Sequence, residues 1–241
     1  MNRFGIFVEG YTESVFVASL IREIAGRRDV LIDQARIKGG MKRQRDFWVK
    51  KESETVKGEP ASTARFYVLI VNCGGDDQVK TRIVEEHKNL HDKGYWRLLG
   101  IRDVRPKYKR EEITRLETGL RSNIDDTLIP VDFILAVMEI EAWFLADSTH
   151  FPRIDPSITI SAIKESLGLD VENDDLQARD EPEADLKRCD AIGGKVYDKK
   201  DSRQTIQALD FGGLRLHLVK RFQHLDRLVS AVEDFFRLES A

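Results

Sequence analysis

The sequence predicts an α/β fold: a Rossmann-like, mainly parallel sheet flanked by helices over residues 1–150, followed by a helical subdomain over residues 151–241. Three observations predict it. Five short apolar runs alternate with stretches of helical periodicity up to Asp147, the pattern of right-handed βαβ units. The clearest run, FYVLIV at 66–71, is continuous, as in a strand covered on both faces. Beyond Asp147 no strand-like run appears, and Leu214, Leu218, Phe222, Leu225, Leu228, Val232 and Phe235 recur at helical spacing.

The elements follow in order. Phe4 to Val8 reads as the first strand, and Gly10 lets the chain turn at its end without a Cβ penalty. Thr12 is the expected N-cap of a helix whose inward residues are Phe16, Leu20 and Ile24. Glu9 thus stands at the carboxyl end of a buried strand, the edge where open α/β sheets bind ligands, and Glu13 lies on the first helical turn. Two acids there suit a hard cation. A solvated turn and a favourable helix dipole account for them equally well. Residues 29–37 predict the second strand.

From Lys38 to Ala64 the composition turns basic, with Lys42, Arg43, Arg45, Lys50, Lys51 and Lys57 around Phe47 and Trp48. Two readings stand: an insertion contacting phosphates and an unstacked base, or a solvated helix and loop with both aromatics tucked onto the core. The third strand at 66–71 leads through Gly74 and Gly75 into a helix over 76–93. His87 and His91 on that helix lack a third ligand and are expected on a solvated face. The fourth strand, 97–101, is followed by Asp103, so parallel neighbours would bring Asp103 and Glu9 to one sheet edge. A helix over 110–123 and a fifth strand over 131–137 lead to Glu139 and Glu141, which share a face on a strand and diverge on a helix. Ala142 to Leu145 begins a short buried helix. Thereafter helices are expected at 161–167, 205–209 and 213–238, an acidic loop at 170–185, and a flexible basic stretch at 193–200.

With 241 residues, 41% of them hydrophobic and 34% charged, the chain has the composition of a soluble globular protein. No apolar run reaches membrane-spanning length and no leader is read at the N-terminus, so no membrane association and a cytoplasmic location are expected. Two distant cysteines, Cys73 and Cys189, support neither a disulfide framework nor a zinc site. A net charge of -3 excludes a generally basic nucleic-acid binder. Neither a P-loop nor a nucleophile elbow is present.

With E-G-Y-T-E at 9–13, Asp103-Val104-Arg105, Glu139-Ile140-Glu141 and Tyr197-Asp198-Lys199, residues 4–147 resemble TOPRIM-fold proteins. The nearest type is the OLD (overcoming lysogenization defect) nuclease domain, in particular the small stand-alone TOPRIM-like proteins of bacterial phage-defence loci. That resemblance implies a nuclease using Mg2+ or Mn2+ on DNA or RNA. Its metal ligands would be Glu9, Glu13, Asp103, Glu139 and Glu141, and Lys199 would lie near the scissile phosphate. Glu9, Asp103, Glu141 and Lys199 would then be the catalytic set. It also implies a separately encoded ATPase as partner and leaves a homo-oligomer open. Arg105 departs from the family's D-x-D pattern, so a catalytically degenerate module that binds protein or nucleic acid is the alternative expectation.

Overall fold

The computed structural model describes residues 1–38, 47–56, 64–125 and 127–238. Its α/β core is a six-stranded sheet in the order β3-β2-β4-β1-β5-β6. In chain order these are β1 (Asn2–Val8), β2 (Val30–Lys38), β3 (Phe47–Val56), β4 (Phe66–Asn72), β5 (Tyr95–Asp103) and β6 (Val131–Ala136). β1 pairs in parallel with β4 on one side and β5 on the other, Phe4 standing beside both Val68 and Arg97. β2 is parallel to β4. Leu98 donates to Pro130 O and Val104 to Ala136 O, so β5 and β6 advance in the same direction. The expected mainly parallel α/β sheet is therefore present.

The sixth strand is the departure. Phe47–Val56 forms β3, antiparallel to β2 from Val30 opposite Val56 to Lys38 opposite Phe47, where sequence reading expected a loop or helix. K-K-E-S-E-T lacks the apolar alternation that marks a strand, and the edge position removes the need for it. Of the basic residues expected to meet phosphates, Lys50 and Lys51 fall in β3, and Lys42, Arg43, Arg45 and Lys57 lie outside the described residues.

The helices are α1 (Tyr11–Ala25), α2 (Asp76–Asp92), α3 (Ile113–Arg121), α4 (Glu141–Ala146), α5 (Phe151–Ile154), α6 (Ile160–Leu167), α7 (Pro182–Ile192), α8 (Arg203–Ala208), α9 (Phe211–Leu216) and α10 (Gln223–Arg237). α1 begins two residues earlier than an N-cap at Thr12 implies. Gly10 occupies its N-cap, and Thr12 is buried in the first turn. α7 takes over the end of the expected acidic loop, residues 182–185: Pro182 fits a first helical position, and Glu183 and Asp185 suit the positive end of the dipole. The long terminal helix is broken between Leu216 and Gln223. There Arg221 turns to tertiary partners, its Nη2 donating to Asp174 O and its carbonyl accepting from Gln177. His87 is buried, with Nε2 2.7 Å from Ile129 O, not solvated as expected.

The chain forms two compact units that interleave in sequence instead of dividing near residue 150. The first holds residues 1–102, 114–134 and 230–241. Its core joins the sheet to the end of α10, where Phe235 stacks near Phe4, Phe66 and Trp96 at centroid distances of 5.2, 5.3 and 5.9 Å. The second holds residues 103–113 and 135–229 and is mainly helical.

Packing in the first unit is tight enough to forbid one methyl group. A Cβ on Gly100 of β5 would lie 2.6 and 2.7 Å from Phe133 ring carbons and 2.9 Å from Ile83 Cδ1. Gly100→Ala is expected to cost about 1–3 kcal/mol, seen as a lower urea midpoint at unchanged slope. A midpoint equal to wild type would show that the ring has room to move.

Candidate active site: two buried carboxylates on one lysine

The site lies in the second unit, where β5 and β6 end. Asp103 is the last residue of β5, and the chain beyond it stays tied to the segment after β6 through Arg105 N donating to Met138 O. Met138 takes φ +63, an uncommon left-handed conformation for such a side chain, just before the turn into α4. That turn decides the fate of the E-x-E pair. Glu141 is the first residue of α4, so Glu139 and Glu141 diverge.

Asp103 and Glu141 converge. They are 1% and 0% exposed. Lys199 Nζ donates to Asp103 Oδ2 at 2.8 Å and to Glu141 Oε2 at 3.4 Å. The remaining carboxylate oxygens are fixed by the protein. Ile140 N donates to Asp103 Oδ1 at 3.0 Å, and Tyr197 Oη to Glu141 Oε1 at 2.7 Å. Tyr197 is 2% exposed, so the stretch expected to be flexible is anchored through its aromatic ring. Lys199 opens a 3-10 turn, Lys199–Asp201, that Asp198 caps by accepting from Lys200 N.

The electrostatics follow from burial. Desolvation pushes the Glu141 carboxyl up, opposed by the Lys199 charge and the Tyr197 hydroxyl. Two buried carboxylates share the Lys199 ammonium, and like charges gathered at so buried a place are costly without countercharge.

Glu139 goes elsewhere. Its Oε2 accepts from Glu183 N at 2.7 Å, placing a carboxylate at the N-terminus of α7, and Arg105 lies 3.9 Å from Oε1. Glu139 thus serves as a cap on α7 in this structure. Arg105, which stands where the resemblance expects an aspartate, points its guanidinium at Asp180 O at 2.6 Å and Glu181 Oε1 at 3.2 Å. Glu9 and Glu13 belong to the first unit. Glu9 is half-buried and its carbonyl accepts from Gly75 N, while Glu13 is 1% exposed. Glu13 folds back over the turn, its Oε2 3.1 Å from where a Cβ on Gly10 would stand.

Of the six residues singled out from sequence, the structure therefore gathers Asp103, Glu141 and Lys199. Tyr197 is the partner that sequence reasoning missed as a site residue. Its signal was weak: one aromatic residue among Gly193 to Lys200, two positions from the lysine.

The carboxylate pair fits a hard divalent cation in donor chemistry, since its oxygens already share one positive charge. Among the described residues no three His, Cys, Asp or Glu side chains gather to hold a metal ion. Asp103 and Glu141 would thus be the protein ligands, with water and phosphate oxygens completing an octahedral shell, as is usual for Mg2+.

A second buried acid in this unit gives a pH signature. Asp190 on α7 is 2% exposed, and burial pushes its carboxyl up to about 6. The folded state then binds the proton more tightly than the unfolded chain, so stability falls as pH rises from about 4 to about 6. Asp190→Asn is expected to gain about 1–3 kcal/mol at pH 7.5 and nothing at pH 4. Equal denaturation midpoints at pH 7.5 would contradict this.

No helix among the described residues is long and apolar enough to cross a membrane. A family model described as a domain of unknown function (DUF4276) matches residues 8–233 of the chain. No curated protein and no solved structure matches it.

Proposed function

We propose that this chain, which belongs to the DUF4276 family, is a divalent-metal-dependent hydrolase of phosphodiester bonds in DNA or RNA. The observation that carries the reading is the convergence of Asp103, Glu141 and Lys199 at the carboxyl end of β5, with both acids buried. The OLD-type resemblance of the motifs supports the same chemistry, with Mg2+ or Mn2+ as the ion and a separately encoded ATPase as the proposed partner.

When bound, the cation would polarise a phosphoryl oxygen and lower the pKa of a water molecule. The chain's own residues do the rest. Asp103 and Glu141 supply the negative charge that holds a cation, and Ile140 N and Tyr197 fix their orientation. The Lys199 ammonium, 29% exposed on a capped turn, is placed to neutralise charge gathering on phosphorus.

The alternative, a non-catalytic binding module, is favoured by one observation: Lys199 already bonds both acids, as a permanent structural ion pair would. One assay separates the two. Labelled single- and double-stranded DNA and RNA are incubated with Mg2+, Mn2+ or EDTA, using wild type and Asp103→Asn. Metal-dependent cleavage reduced at least about 100-fold in the variant supports the hydrolase. Equal cleavage by both proteins, or none in any metal, supports the binding module.

A further inference from the structure

Wholly within the second unit lies a cavity of about 830 Å3, a volume within the roughly 300–1,000 Å3 of ordinary ligand pockets. We propose that it is a binding cleft for single-stranded nucleic acid, in which Arg105, Lys109, Arg110, Arg179 and Arg188 meet phosphates and Tyr108 offers a face for a base. The inference rests on the hydrolase reading and names where its substrate would lie.

Position comes first. Arg105 follows Asp103 by two residues and Met138 precedes Ile140 by two, and both line the cavity. The cavity wall is thus continuous along the chain with the residues that carry and anchor the buried acids.

The charge arrangement comes second. Asp185, 3% exposed, lies beneath two arginines: Arg179 grips it with Nε at 2.6 Å and Nη2 at 3.1 Å, and Arg188 also bonds it. The arginines themselves are 38% and 56% exposed, so an incoming anion meets guanidinium before carboxylate. Arg110 donates to the carbonyls of Gln177 and Arg179 at 3.1 Å and lies 3.5 Å from Asp180 Oδ1. Arg105 donates to Asp180 O at 2.6 Å and to Glu181 Oε1 at 3.2 Å. Guanidinium groups already held in place lose little entropy on meeting a phosphate. Among the described residues no carboxylate pairs with Lys109.

Against five cations stand Glu111, Asp180, Glu181 and Asp185, which leaves a surplus of one positive charge in a chain whose net charge is -3. A surplus that small gives weak, salt-sensitive binding. Stacking adds about 1–3 kcal/mol per base, which explains why an aromatic residue among the cations matters. The volume admits nucleotide-sized groups, and only an unpaired strand frees a base to stack on Tyr108, so unpaired strands are the expected ligands.

The test is binding without cleavage. Fluorescein-labelled 12-mers of single-stranded DNA, single-stranded RNA and duplex DNA are titrated in EDTA by fluorescence anisotropy, over a range of salt concentrations. Wild type is expected to bind a single strand at least about tenfold more tightly than the duplex. Lys109→Gln/Arg188→Gln, which leaves Arg179 on Asp185, is expected to weaken that binding at least about tenfold. It should also reduce the slope of log K against log salt by about 1.4, for two lost phosphate contacts. Lys109→Glu, a change on an exposed loop residue, gives the same direction if the double variant melts early. Unchanged affinity and slope in the variants, equal binding of duplex, or no binding by wild type would each overturn the cleft. A parallel arm keeps the two readings apart: Mn2+-dependent hydrolysis of bis(p-nitrophenyl) phosphate needs no strand. Its survival alongside failed strand binding would overturn the cleft alone, whereas its absence in wild type would overturn the hydrolase.

Discussion

Lys199→Met is expected to reduce phosphodiester cleavage at least about 100-fold, the scale of losing one preorganised charge at a developing anion. It should also destabilise the protein in EDTA by about 2 kcal/mol. Breaking a fully buried pair costs about 3–5 kcal/mol, and the 29% exposure of Lys199 reduces that figure. The two losses separate in one experiment. Asp103 and Glu141 keep their bonds from Ile140 N and Tyr197, so the variant retains its oriented carboxylates and lacks only their cation. Adding Mg2+ should therefore raise the melting temperature of the variant more than that of wild type, because a ligand stabilises the folded state in proportion to its affinity for it. Equal Mg2+ shifts would show that Lys199 and a metal do not compete for the same carboxylates.

Glu141→Gln is expected to remove activity by a similar factor with the opposite effect on stability. Burial raises the carboxyl of Glu141, so the folded state holds its proton to higher pH than the unfolded chain does. Folded wild type consequently loses stability as pH rises above the ordinary carboxylate range. The amide cannot ionise and still accepts from Tyr197. Urea midpoints for the two proteins should agree near pH 4.5, and the variant should be equal or higher at pH 8. A variant less stable across that whole range would mean that the Lys199 pair outweighs the cost of burial.

The central strands were legible because they are buried along most of their length. Phe66 to Val71 has no polar interruption, and only a strand of that length between glycine and helix signals explains it. β3 was illegible for the opposite reason: an edge strand needs no apolar pattern, and its pairing with β2 comes from tertiary context. Asp103 and Glu141 could be picked out because acids where apolar runs end stand out against a core. Whether Glu139 would join them depended on one backbone choice, and the turn at Met138 sent it to the start of α7. The role of Arg105 could not be read at all. Its partners, Asp180 and Glu181, lie about 75 residues away in a segment that looked like a loop. His87 failed likewise, because its partner is the carbonyl of Ile129 and a backbone acceptor leaves no trace in composition.

The account stands on two carboxylates and a cation they hold in common. Crystals soaked in Mn2+ and measured at the manganese absorption edge test it most directly. The prediction is an anomalous peak within about 2.5 Å of both Asp103 and Glu141 oxygens, with the Lys199 ammonium moved off them. A map with no peak there, and Lys199 still bonded to both acids at saturating Mn2+, would contradict it.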